Sequence, residues 1–255
     1  MDVMTNNLRE INSLNQRGGR MLSVVDLIDD GTLDARTSGL LLSFMAAEAS
    51  FLTAAGPGGV GKSTLMAVLL SFLPPGERIR TVTDPAGVGE PDEPTRWLCH
   101  EIGSGHWFGY LWGARATKFL ALHRSGRIAG SLHADTDAEI AAQLLGPSVG
   151  AEESDLAAVD LLLTMVRLRG MRRVSVIYES ADREVPDFRP IVEWDRARDS
   201  FELNPSQRLP ALLDSAPGPV PGVERATEFI EMLVAEDTRH LEDVMAAVAS
   251  FYEQI

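Results

Sequence analysis

The sequence predicts an α/β fold, a mostly parallel sheet flanked by helices and built around a phosphate-binding loop. Three observations lead there. Gly56, four further residues and then Gly61-Lys62-Ser63 fit G-x-x-x-x-G-K-[ST], the spacing in which backbone amides wrap a triphosphate. "SFLTAA" before this loop reads as a buried strand, and "STLMAVLLSFL" after it as a helix whose positive end faces the phosphates. Elsewhere strand-like and helix-like segments alternate, the pattern of a sheet covered on both faces.

The loop residues suit their task individually. Gly58, Gly59 and Gly61 lack a Cβ, so the chain can curl and its amides can approach phosphate oxygens closely. The nucleotide-contacting set read from the motif is Gly56, Gly58, Gly59, Val60, Gly61, Lys62, Ser63 and Thr64. Lys62 is expected to neutralise the β- and γ-phosphates, and the Ser63 hydroxyl to ligate Mg²⁺.

Composition sets the limits around that loop. At 255 residues the chain suffices for one α/β domain with a substantial core and a small appendage. A net charge of −14 argues against a general nucleic-acid or anionic-membrane surface, because both need a basic footprint. The one local basic run, "RLRGMRR" (Arg167, Arg169, Arg172, Arg173), reads as a solvated turn leading into a strand. Cys99 is the only cysteine, so no disulfide framework or cysteine-rich metal site is expected. The N-terminus lacks a signal-peptide apolar stretch, and no apolar run reaches spanning length. The expectation is a cytoplasmic chain with no nucleic-acid partner and no direct membrane insertion.

Four stretches follow along the chain. Residues 1–35 read as a polar helix or loose arm acting as a linker, with a turn signal at Asp30-Gly31. Residues 36–204 form the P-loop domain, entered by an amphipathic helix from about Asp34 to Ala49. Arg78 to Thr83 is a short β-rich run, "GVGEPDEP" an exposed acidic loop, and "HWFGYLW" strand-like. "ATKFLALHRSG" reads as a helix and "RIAGSLHADT" as a strand entering a loop. "RRVSVIYES" and "RPIVEWD" read as strands, with a hairpin turn at "RARDS". Prolines crowd residues 205–223, a linker, and residues 224–255 carry apolar spacing for a helical appendage broken near Asp237-Thr238.

From about Gly19 to Leu203 the chain resembles the ATPases that power type II and type IV secretion and type IV pilus assembly, most of all archaeal pilus and flagellar members. Four blocks carry the resemblance in order: "GRMLSVVDLIDDGTLD", "AGPGGVGKSTLMAVLLSFLPPGERIRTVTD", "SLHADTDAEIAAQLL", and the pair "RRVSVIYES" with "FRPIVEWDRARDSFEL". The resemblance implies a RecA-like P-loop NTPase domain, ATP with Mg²⁺, and assembly as a homo-oligomer or within a hetero-oligomeric motor ring. It also implies a membrane platform protein as partner, and so a cytoplasmic protein held peripherally at the inner face of the membrane. Asp84 falls in the family's aspartate box and His133 at its histidine box.

Two family carboxylates are replaced in the registers that fit best. Gly87 stands where the aspartate-box glutamate would be, and aligning residues 109–120 with the Walker B segment puts Tyr110 at its glutamate. A phenol with a pKa of about 10 stays neutral at pH 7 and cannot serve as a carboxylate base. ATP binding with weak or lost hydrolysis is the leading expectation, in a protein that regulates or scaffolds a motor ring. An active motor with a relocated carboxylate is the alternative, with Glu90, Asp92 and Glu93 as candidates and Glu101 as a further one. A small-molecule kinase is the remote third reading. The residues expected to act in chemistry are Lys62, Asp84, His133 and Glu90, with Ser63 at the metal.

Overall fold

A strand buried on both faces anchors the architecture. The computed structural model describes residues 1–15, 18–56 and 58–255. The chain begins with helix α1 (Val3–Ser13), started by Asp2, whose side chain accepts from the Thr5 amide at 2.9 Å. Helices α2 (Val24–Asp29) and α3 (Ala35–Ala46) follow, the second capped by Asp34, which accepts from the Thr37 amide at 2.7 Å. Strand β1 (Phe51–Ala54) then leads through the glycine-rich loop into α4 (Lys62–Ser71).

Strands β2 (Arg78–Thr81), β3 (Thr95–Ile102) and the short β4 (Tyr110–Leu111) come next, followed by α5 (Ala114–Leu120) and β5 (Arg127–Leu132). Helices α6 (Asp137–Leu145) and α7 (Glu153–Ala157) precede β6 (Leu161–Leu168), β7 (Met171–Ser180), β8 (Phe188–Asp195) and β9 (Ser200–Leu203). The lanes run β2-β3-β5-β1-β6-β7-β8-β9, with β4 added beside the far end of β3. All pairings from β2 to β6 are parallel, and β7, β8 and β9 close the sheet antiparallel.

Each face has its own core. Phe51, Leu161, Leu163, Met165 and Val174 lie under α4, whose Leu65, Met66 and Leu69 pack on them. Leu52, Ala54, Cys99 and Leu162 face the other way, against Phe119 of α5, Ile140 of α6 and Leu156 of α7. The period-two alternation of β1 thus splits its side chains between two helical layers. The free edge at β2 is covered by α1. Asn6 Nδ2 donates to the Ile79 carbonyl and Asn7 Nδ2 to that of Glu77, both at 2.8 Å, and the Ile79 amide donates back to Asn7 Oδ1. Of the two readings for the first residues, helix and loose arm, the helix is observed.

Three local expectations need correction. "HWFGYLW" is a loop except for Tyr110 and Leu111, with Trp107 and Phe108 exposed. "TRWLCHEI", not foreseen as a strand, is β3 and is buried along its whole length. Within residues 205–223 the chain forms α8 (Arg208–Ser215), pinned by Arg208 on Asp160 at 2.8 Å and by amides of Gln207 and Arg208 on Glu179. Helices α9 (Val223–Ala235) and α10 (Leu241–Tyr252) break where foreseen, with Asp237 at φ +55°. They belong to the same core as α4, and the rings of Phe229 and Phe251 stack 4.3 Å apart.

Candidate functional site

The parallel strands all deliver their C-terminal ends to one edge, where loops from β1, β3 and β5 converge. Between β1 and α4 the backbone takes φ +81° at Gly59 and +121° at Gly61, values that side chains with a Cβ rarely adopt. The first helical hydrogen bond runs from the Leu65 amide to the Gly61 carbonyl, so the amides of Lys62, Ser63 and Thr64 have no partners within the helix. Ser63 and Thr64 are partly buried in that first turn, and Val60 is fully buried beneath it. The result is a positive, donor-rich concavity suited to an anion.

Lys62 lies across this edge with only 8% of its side chain exposed, its Nζ 3.4 Å from Glu101 Oε1. Burial pulls its pKa below the usual lysine value, and the neighbouring carboxylate opposes that shift. Glu101, near the end of β3, is held through its other oxygen by the Ser131 hydroxyl at 2.8 Å. Its Oε1 is buried and accepts no hydrogen bond from any described residue.

His133, just past β5, stands on the other side of the lysine. Its Nδ1 is 2.9 Å from the Gly56 carbonyl, 3.2 Å from that of Ala55 and 3.1 Å from Lys62 Nζ. Nε2 is 3.4 Å from Lys62 Nζ and 3.5 Å from Glu101 Oε1, so both ring nitrogens lie within reach of the ammonium. Asp135 fixes the loop from the same side, its Oδ1 accepting from the Gly56 amide at 2.7 Å. A Cβ at Gly56 would fall 2.3 Å from that carboxylate, so the close approach requires glycine. The turn itself is anchored by the start of α6, where Thr136 accepts from the Glu139 amide and Glu139 from that of Asp135.

The other sequence candidates lie elsewhere. Asp84 is exposed and accepts from the Ala86 amide at 3.2 Å, stabilising a turn at the end of β2. Glu90 is exposed, and among the described residues neither acid pairs with Lys62. Glu93 is spent on Arg78 and Arg80, at 2.5 and 2.8 Å. Tyr110, aligned above with the Walker B glutamate, lies in β4, and the carboxylate beside Lys62 is Glu101. A surface cleft of about 550 Å³ lies between α1 and β2, but Arg9, Arg78 and Arg80 in its wall are already paired.

Mg²⁺ fits this donor set. The orphaned Glu101 Oε1 and the Ser63 hydroxyl are hard oxygen donors, and magnesium takes one or two such ligands plus substrate phosphates rather than a full protein cage. In keeping with that, no group of three or more His, Cys, Asp or Glu among the described residues could hold a metal by itself.

No family model matches the chain, and no curated protein matches it. Among solved structures it is similar to the VirB11 ATPase of the Brucella suis type IV secretion system in complex with sulphate. The two share 16% identity over 68% of this chain and 55% of the other, at a TM-score of 0.38. The chain thus spans about half the length of that protein, and a likeness so distant assigns it no activity.

Proposed function

We propose that the chain binds ATP with Mg²⁺ on the loop from Gly56 to Thr64 and hydrolyses it, with Glu101 supplying the carboxylate. The observation that carries this is the placement of a buried acid, one oxygen fixed and one unsatisfied, beside the lysine of a phosphate-binding loop. Lys62 exchanges its contacts with Glu101 and His133 for the β- and γ-phosphates. Ser63 would hold the metal, which when bound neutralises charge on the phosphates. Glu101 orients or deprotonates the attacking water. His133, tied to the loop backbone, keeps the lysine in place and responds to the nucleotide's departure.

The RecA-like assignment is part of this proposal. It is supported by β5 lying between the P-loop strand β1 and β3, the strand that carries Glu101. The role in secretion or pilus assembly, the ring of subunits and the membrane platform partner are also proposed. They rest on the ordered sequence blocks described above.

A second reading, nucleotide binding without turnover, is favoured by the exposed positions of Asp84 and Glu90, which leave Glu101 as the one acid on Lys62 among the described residues. Steady-state phosphate release from Mg-ATP separates the two. Turnover that is lost in both Lys62→Ala and Glu101→Gln supports hydrolysis. Tight ATP binding with no release in the wild type selects the second reading. No binding at all rejects both.

A further inference from the structure

The hairpin joining β6 to β7 reaches the same loop from the flank opposite Glu101. A Cβ built on Gly61 would sit 3.3 Å from Met165 Cε and 3.5 Å from Arg172 Cδ. The stem of Arg172 therefore passes directly over the last glycine before Lys62. Its Nε is buried and has no hydrogen-bond partner among the described residues.

Arg167 lies directly opposite Arg172 in the ladder, two steps beyond the Met165–Val174 pair that packs under α4. Arg169 sits in the two-residue turn between the strands, at φ +50°. No described carboxylate forms an ion pair with these three arginines, whereas the next one, Arg173, is bound to Asp199 at 2.8 Å. Like charges directly opposite on a sheet destabilise it. In a chain of net charge −14, an unneutralised arginine pair at the mouth of an anion-binding loop calls for an anion of its own.

The lanes say which part of the anion that is. Lys62 reaches toward β3 and β5, on one side of β1, where Glu101 and His133 mark the terminal-phosphate end. Strands β6 and β7 lie on the other side of β1, and a triphosphate whose terminal end meets Glu101 would run its nucleoside end toward them. We infer that Arg172, backed by Arg167, clamps the α-phosphate of the bound nucleotide. A guanidinium fork suits this, offering two parallel hydrogen bonds to phosphate oxygens. The inference rests on the nucleotide reading of the P-loop.

Titration calorimetry of the full chain with Mg-ADP and Mg-ATP tests it, with thermal unfolding of each variant alone. Arg172→Ala should weaken ADP and ATP by the same factor, about tenfold or more. Arg167→Ala should weaken both equally by less. Without nucleotide, Arg172→Ala should unfold at the wild-type temperature or above, since the facing charges no longer repel. A loss confined to ATP would move the contact to the γ-phosphate and overturn the clamp, as would unchanged affinity for both. A variant less stable than wild type would make the arginine structural and overturn it too. Arg172→Lys then provides the second check, because keeping the charge while losing the fork should still weaken ADP and ATP alike. Wild type that binds neither nucleotide sinks the P-loop reading itself, whereas a binding wild type with an indifferent Arg172→Ala sinks the clamp alone.

Discussion

One strand, β3, supplies an ion pair at each of its ends, and the two are built differently. At its start Arg96, fully buried, meets Glu77 with Nε at 2.8 Å and Nη2 at 3.2 Å, and donates from Nη1 to the Ala49 carbonyl. At its end Glu101 meets Lys62 through a single contact of 3.4 Å, while the lysine also leans on His133 at 3.1 Å. The first pair is a two-point clasp that ties the β2 approach to the strand. Burial outweighs the partner's pull in both pairs, lowering the Lys62 pKa and raising that of Glu77, so geometry is what sets the second pair apart as the loose one. The difference separates a pair that secures the fold from a pair set up to be broken.

The comparison can be broken in several ways, beginning with the largest effect. Glu101→Gln should keep the fold and nucleotide affinity while lowering phosphate release by about 10²–10⁴-fold, the loss typical of a positioned base. Turnover at the wild-type rate would return Glu101 to a structural role. At the other end of β3, Arg96→Ala should cost about 3–5 kcal/mol in urea unfolding, because it strands Glu77 in the core. A loss below about 1 kcal/mol would show that the clasp is not what secures this edge.

A third ionisable group sharpens the contrast. His100, beside Glu101 in β3, is buried with its Nε2 3.3 Å from Thr81 Oγ1 and 3.4 Å from Ser13 Oγ. Burial lowers its pKa to about 4, against a smaller upward pull from Glu10. The unfolded chain takes up this proton near pH 6.5 and the folded chain does not. The stability from keeping His100 neutral is therefore complete above pH 6.5 and declines as the pH falls toward 4. Urea midpoints should fall across that window by an amount equivalent to about 2–3 kcal/mol, and His100→Asn should flatten the slope. The smallest effect belongs to the loose pair. Lys62→Met should cost the nucleotide-free protein only about 1–2 kcal/mol, because the stranded Glu101 carboxylate keeps the Ser131 hydroxyl. A large destabilisation would equate the two ion pairs and undo the distinction.

The sequence was legible where local rules act alone. The loop from Gly56 to Ser63, its flanking strand and helix, the hairpin turn after Asp195 and the break near Asp237 all follow from spacing and turn chemistry. It was opaque at β3, because Arg96, His100 and Glu101 interrupt the apolar run by which a buried strand is recognised. Each is accommodated by a partner from elsewhere in the chain: Glu77, Thr81 or Lys62. Glu101 was legible only as one acid among Glu90, Asp92 and Glu93, since nothing along the sequence points from any of them to Lys62.

By itself, then, the sequence determined the glycine-rich turn between β1 and α4, since curling the backbone tightly ahead of a helix needs only glycines at fixed spacing. Tertiary structure alone decided which acid faces that lysine, which loop carbonyls orient His133, and which arginines flank the far side. Those choices depend on strand order and register, which set distances between residues far apart in the chain, and no local pattern records them.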